Sequence, residues 1–209
     1  GQALRQRGAF RTIWVDDQKA KRARWPSEGW LAMKSVPGLP KGAHFFHPCE
    51  QIEAFPGDLP ENRATTRGAE ILVPHFWVQE RLPLEGFDPE TRVIKTAKSS
   101  VFRFTDDFAE EPGKRYCLEN LREGLLEPGN WYLDGAEGLL YYLPKEGEVI
   151  GTTRITIPTL YQFLRINGRP EDGVMVWSLQ FNGLAFRYAD WKEPEGIAVW
   201  YDPYEPEGA

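Results

Sequence analysis

The sequence predicts a mainly β fold, sandwich or barrel-like, with one short helix. Three observations predict it. Seventeen prolines and twenty glycines punctuate 209 residues, a density of turn formers that favours short strands over long helices. Aromatic residues make up 13% of the chain and suit the pleated, half-buried surface of a sheet. Apolar and polar residues alternate over short stretches, the period of strands. A chain of this length buries a sizeable core in one large or two small domains.

Phe10 to Val15 alternates as a strand, Asp16-Asp17 makes a turn, and Lys19 to Arg24 returns as a basic strand ending at Trp25-Pro26. Ser27 to Arg67 is broken by Pro37-Gly38, Pro40, Gly42, Pro48, Pro56-Gly57 and Pro60. It reads as a long loop pinned by Trp30, Phe45, Phe46 and Phe55. Glu70 to Glu80 is the strongest strand, and Pro74 within it points to an edge or a bulge. Leu82 to Phe87 and Arg92 to Thr96, joined by Asp88 to Thr91, complete a meander. Val101 to Phe104 is a short strand ahead of an acidic loop over Thr105 to Lys114.

Tyr116 to Pro144 combines several signals without a gap. Leu118, Leu121 and Leu125 recur at helical spacing, so a short helix is expected, weakened at Gly124 and stopped at Pro128-Gly129. Trp131 to Leu133 and Leu139 to Leu143 flank turn residues as an aromatic hairpin. Later strands are expected at Thr153 to Ile157, Gln162 to Ile166, Val174 to Phe181, Leu184 to Tyr188 and Ile197 to Tyr201. Asn182-Gly183, between two of these, reads on its own as a type I′ hairpin turn.

The net charge of −6 and pI near 5.3 give an acidic surface no electrostatic gain on nucleic acid or an anionic membrane, so neither is expected as a partner. No apolar run approaches the ~20 residues that span a bilayer. Nothing ahead of Phe10 reads as a signal peptide, and Gly1 without a methionine leads us to expect a piece of something longer. Cys49 and Cys117 allow one disulfide without implying a stapled scaffold. There is no G-x-S-x-G elbow, P-loop, H-E-x-x-H or dinucleotide fingerprint, so esterase, nucleotide-hydrolase, zincin and dehydrogenase readings lack support and no cofactor is expected.

Three sets of residues carry candidate chemistry. His44, His47 and Cys49 have the donor types of a zinc site but lie in a proline-rich loop with no second ligand pair, so no metal is expected and packing by Phe45 and Phe46 is the simpler role. Carboxyl pairs for glycoside hydrolysis are sought among Asp106, Asp107, Glu110, Glu111, Glu119 and Glu123; Glu119 and Glu123 would share a helix face, with Arg115 and Arg122 to pair with. An acidic loop is usually solvated, and none of these is assigned a catalytic role. Aromatic rings offer flat faces to sugars. On alternating strands half face the core, the role expected for Trp131, Tyr141 and Trp177, which leaves Tyr132, Tyr142 and Trp200 as candidate carbohydrate-binding residues.

Several segments together resemble a family. Ile13 to Pro26, IWVDDQKAKRARWP, is similar to a small hairpin followed by Ala-Arg-aromatic-Pro in large bacterial right-handed parallel β-helix proteins related to glycoside hydrolases. Tyr116 to Pro144 resembles their Glu-Asn, Leu, Pro-Gly-Glu-Trp-Tyr-Leu-Asp, Leu-Tyr-Tyr-Pro signature, with Asn130 in place of the glutamate. Val176 to Trp191, containing FNGLAF, resembles the first β-helix coils, and would make Asn182-Gly183 a corner where the chain bends without reversing.

The resemblance implies residues 1–160 as a β-rich inserted or accessory domain and 161–209 as strands at the start of a parallel β-helix. It implies a parent that acts on plant or algal polysaccharides, as α-fucosidases or xylanases do, outside the cell or in the periplasm, with acidic catalytic residues on later coils. The chain would then be non-catalytic, shaping the substrate groove beside an oligo- or polysaccharide and the rest of the β-helix. Two alternatives stay open: a free-standing carbohydrate-binding module, and a small complete glycosidase with its carboxylates in the 105–123 region.

Overall fold

The computed structural model describes residues 10–60, 67–75, 78–104, 115–149 and 151–190, with Val199 and Trp200 as backbone alone. Among them the strands are β1 (Trp14–Val15), β2 (Gln18–Lys19), β3 (Lys21–Arg22), β4 (Arg24–Trp25), β5 (Leu31–Ser35), β6 (Gln51–Ala54), β7 (Glu70–Pro74), β8 (Gln79–Asp88), β9 (Val93–Thr96), β10 (Arg115–Glu119), β11 (Asn130–Asp134), β12 (Leu139–Tyr142), β13 (Ile155–Thr156) and β14 (Val199–Trp200). Strands hold 33% of the described residues and helical turns 4%, so the chain is mainly β, as its turn formers and aromatics predict. It forms two compact units, a larger one built on Lys21–Glu148 with β14, and a smaller one from Phe10–Ala20 and Val149–Lys192.

In the larger unit β8 pairs with β7 along its first half and β9 along its second, and β14 also pairs with it at Glu80 and Arg81. From β7 the pairing runs to β10, β5, β6 and β9, antiparallel throughout, so the circuit β8-β7-β10-β5-β6-β9-β8 closes on itself. This barrel-like closure leaves no open edge within the circuit. Register shifts at Met33/Ser35 and Leu84/Gly86 bend two of its staves. Alternation sorts the side chains: Met33, Ile52, Ile71, Val73, Leu82, Ile94, Tyr116 and Leu118 share one buried core. Each large aliphatic side chain there contributes roughly 1.5–3 kcal/mol. The intervening Glu70, Leu72, Arg81, Cys117 and Glu119 occupy the other face of β7, β8 and β10.

Four local expectations change. The long loop over Ser27 to Arg67 contains β5 and β6, because Met33, Ile52 and Ala54 gain burial only by completing the barrel. Glu70 to Glu80 divides between the antiparallel strands β7 and β8, and the His75 N–H donates to the Val78 carbonyl at 2.7 Å. Pro74 ends β7, which lies inside the circuit between β8 and β10 and not at an edge. The short helix shrinks to one 3₁₀ turn, Arg122–Gly124, because Leu118 is taken into β10 by the core. Val101 to Phe104 pairs with no strand among the described residues; Ser100 N–H to the Cys49 carbonyl and Arg103 N–H to the Phe45 carbonyl, 2.8 and 2.9 Å, anchor it. The aromatic hairpin forms as expected: β11 pairs β12 from Trp131↔Tyr142 to Asp134↔Leu139, and Asp134 Oδ1 caps its turn.

The smaller unit holds the three-stranded sheet β13-β1-β2. Asp16 and Asp17, at φ 44° and 70°, make the tight turn between β1 and β2. Asp17 accepts from Arg154 and from the Tyr188 hydroxyl, and the Tyr188 ring meets Trp14 edge-on at 5.1 Å. The strands expected at Gln162 to Ile166, Val174 to Phe181 and Leu184 to Tyr188 find no partner strand among the described residues; a single bridge joins Arg169 to Val174. Ser178, Gly183 and Tyr188 are left-handed at φ 53°, 70° and 64°, one every five residues. Gly183 is left-handed and Asn182 is not, so no type I′ hairpin turn forms there.

Candidate functional site

The most organised polar group of the larger unit sits on the outer face of β7, β8 and β10. Glu119 stands opposite Glu70 in the β10–β7 register, and Arg81 stands opposite Leu72 on β8. Parallel pairing of β3 with β11 delivers Arg22, whose guanidinium lies 5.8 Å from the Trp131 ring centroid. Arg22 Nη1 donates to Glu70 and lies 3.5 Å from Glu119 Oε2. Arg81 Nη1 donates to Glu119 and reaches Glu70 Oε2 at 3.3 Å. These four side chains are 5–15% exposed.

Asn120 continues the site. It is left-handed at φ 55°, and its side chain accepts from Leu133 N–H at 2.9 Å while donating to the Leu133 and Gly68 carbonyls at 3.0 and 3.1 Å. The Glu119-Asn120 pair thus fastens the barrel to the β11–β12 hairpin. Beside it the Cys117 thiol is pushed up to about 12, chiefly by burial, which makes it inert as a nucleophile. Carboxylate oxygens gripped by two guanidinium groups, in side chains only 5–15% exposed, tie β3, β7, β8 and β10 together.

The sequence candidates separate accordingly. Glu119 pairs with Arg22 and Arg81, drawn from distant strands, and not with its neighbours Arg115 and Arg122; Arg122 instead lies over the Tyr141 ring at 5.3 Å. Glu119 ends a strand and Glu123 sits in the 3₁₀ turn, so they share no helix face. Asp106, Asp107, Glu110 and Glu111 lie outside the described residues. Tyr132, expected to face outward, is 1% exposed and stacks on Tyr141 at 5.8 Å. β11 is covered on both faces, which defeats simple alternation. Tyr142 is half-buried and donates its hydroxyl to Glu148 at 2.8 Å. The Trp200 side chain lies outside the described residues. Trp131 is in the core as expected, whereas Trp177, also expected there, is 76% exposed. His44 stacks on Phe46, and Cys49 is buried, its sulfur accepting the Phe104 N–H at 3.4 Å. No three His, Cys, Asp or Glu side chains among the described residues gather as a metal site.

Sequence reasoning missed one pair. His75 Nε2 and Glu80 Oε2 are 2.8 Å apart with both side chains fully buried, and Glu80 Oε1 accepts the Val101 N–H at 2.6 Å. No local signal marks it, because Glu70 to Glu80 reads as one continuous strand, on which the two residues would not be expected to meet.

No family model and no curated protein matches this chain. Among solved structures, one described as a glycoside hydrolase superposes with a TM-score of 0.61 at 21% identity, covering 78% of this chain and 29% of that one. The fold is therefore one found in a glycoside hydrolase structure, and the chain spans less than a third of that protein's length.

Proposed function

We propose that this chain is a non-catalytic accessory module of a polysaccharide-acting protein of the glycoside hydrolase type, working outside the cell or in the periplasm. It helps wall the substrate groove, and its smaller unit seats further coils of a parallel β-helix. The carrying observation is the state of the segment from Met175 to Ala189. Among the described residues, no backbone N–H or C=O there takes part in a hydrogen bond within the chain. Val176, Leu179, Phe181, Leu184 and Phe186 are 44–62% exposed.

A backbone with open hydrogen-bonding groups and an apolar surface is a template for another strand. The left-handed corners at residues 178, 183 and 188 cut it into short legs, the footprint of one solenoid turn. The fold shared with a much longer glycoside hydrolase chain supports the same reading. The buried Glu70 and Glu119, gripped by arginines, support a role without acid–base chemistry.

Hydrogen exchange of Met175 to Ala189 tests this, in the chain alone and extended by its downstream reading frame. We expect fast exchange and strong binding of an apolar dye in the chain alone, and at least tenfold slower exchange with loss of dye binding in the extended form. Equal exchange in both, or an immediate in-frame stop, overturns the coil seat. Release of reducing sugar by this chain, abolished in Glu119→Gln, overturns the non-catalytic reading.

A further inference from the structure

We propose that the barrel carries a binding cleft for a neutral, hydroxyl-rich ligand of the oligosaccharide class, where β6 begins and β9 ends beside β8. The proposal rests on the reading that this protein meets a polysaccharide. Two recesses of about 350 and 480 Å³ adjoin there, sharing Glu50, Glu85, Thr96 and Ser99, so they form one cleft; Lys95 lines the first and Lys98 the second. Each volume falls in the range of roughly 300–1,000 Å³ common to small-molecule sites.

The floor is held before any ligand arrives. Thr96 N–H donates to the Glu50 carbonyl at 2.9 Å, and the Thr96 hydroxyl lies 3.0 Å from that carbonyl and 2.8 Å from the Lys98 carbonyl. Ser100 N–H donates to the Cys49 carbonyl at 2.8 Å, and the Ser100 hydroxyl accepts the Cys49 N–H at 2.7 Å. Such a lattice spares a ligand the cost of ordering the site.

Glu85 and Lys95 make no ion pair among the described residues, and Glu50 has one oxygen bound by the Ser99 hydroxyl. Yet Glu53, three residues from Glu50, is paired with Lys34 and approached by Arg92.

Chemistry narrows the occupant. Two carboxylates against two ammonium groups leave the lining formally balanced, so neither a polyanion nor a polycation gains from it. Carboxylates accept from hydroxyls, and ammonium and Ser/Thr groups donate to them. No aromatic ring among the described residues lines the cleft, so recognition works through hydrogen bonds and not by stacking.

The test is a titration of ¹⁵N-labelled protein with cellohexaose, xylohexaose and mannohexaose, and with hexagalacturonate and a chitosan hexamer as charged counterparts. At least one neutral hexasaccharide is expected to shift the amides of Glu50 and of Lys95 to Ser99 saturably. Glu85→Gln and Lys95→Met should each weaken that binding about tenfold with the rest of the amide spectrum unchanged, and Glu90→Gln, away from the cleft, should not. Absence of shifts there with all neutral sugars, shifts insensitive to both variants, or tighter binding of a charged hexamer overturns the cleft. Protected exchange at Met175 to Ala189 without shifts here removes the cleft and leaves the accessory-module reading standing. Shifts here without that protection do the reverse.

Discussion

Glu70 and Glu119 stand directly opposite each other across the β7–β10 register, and both turn an oxygen to the Arg81 guanidinium. Like charges so placed repel. The strand pairing is tolerable only because Arg81 and Arg22 supply two positive charges in the same buried layer. Arg81→Met should therefore cost about 3–5 kcal/mol of stability, the usual penalty for stripping one partner from a buried ionic group. Combining it with Glu119→Leu should recover at least half of the loss. Urea unfolding of both variants checks this, and a cost below ~1 kcal/mol for Arg81→Met would refute the clamp.

Cys117 makes alkaline pH a sensitive axis. Burial raises its thiol from the usual 9.0 to about 12, outweighing the nearby Arg24 charge, and burial likewise raises Tyr132 from 10.0 to about 12. Both folded values lie above the unfolded ones. Stability is therefore full below about pH 9 and falls as the pH rises from there towards 12, by about 1.4 kcal/mol per pH unit for each group within its window. Cys117→Ala should flatten the fall between pH 9 and 10, leaving the steeper loss to begin near pH 10. Identical slopes in the two proteins below pH 10 would show that the thiol is not responsible.

The Tyr116 hydroxyl is buried without a hydrogen-bond partner among the described residues, and burial raises its pKa. Tyr116→Phe removes a polar group whose desolvation is uncompensated. The variant should be as stable as the parent or gain about 1–3 kcal/mol. A measured loss above 1 kcal/mol in chemical unfolding would contradict the unpartnered hydroxyl.

Gly124 lets two chain segments touch. A Cβ placed there would lie 2.7–2.8 Å from the Arg24 backbone, whereas at Gly135 it would meet nothing within 4 Å. Gly124→Ala should cost about 1–3 kcal/mol by overpacking against main chain that has no room to yield. Gly135→Ala should stay within about 0.5 kcal/mol. Thermal unfolding of the pair decides it, and equal stabilities would discard the close approach.

Much was legible where the governing chemistry is local. The Asp88 and Asp134 turns form because each carboxylate caps the amides two and three residues on. The two hairpins they close were readable for that reason. Leu118 was misread as helical because Leu118, Leu121 and Leu125 fit a helical period, a signal that barrel burial overrode.

By itself the sequence determined a mainly β chain, its Asx-closed hairpins, an acidic surface and a resemblance confined to a few motifs. These follow from turn chemistry, composition and nearest-neighbour spacing. Only the tertiary structure decided that β5 and β6 are staves of a closed barrel, that Tyr132 is buried, that Arg22 and Arg81 hold Glu70 and Glu119, and that Glu50, Glu85 and Lys95 share a cleft. The physical reason is separation along the chain. Arg22 and Glu70 are 48 residues apart and Arg81 and Glu119 are 38 apart, so no local pattern encodes their meeting, which the register of the closed sheet alone brings about.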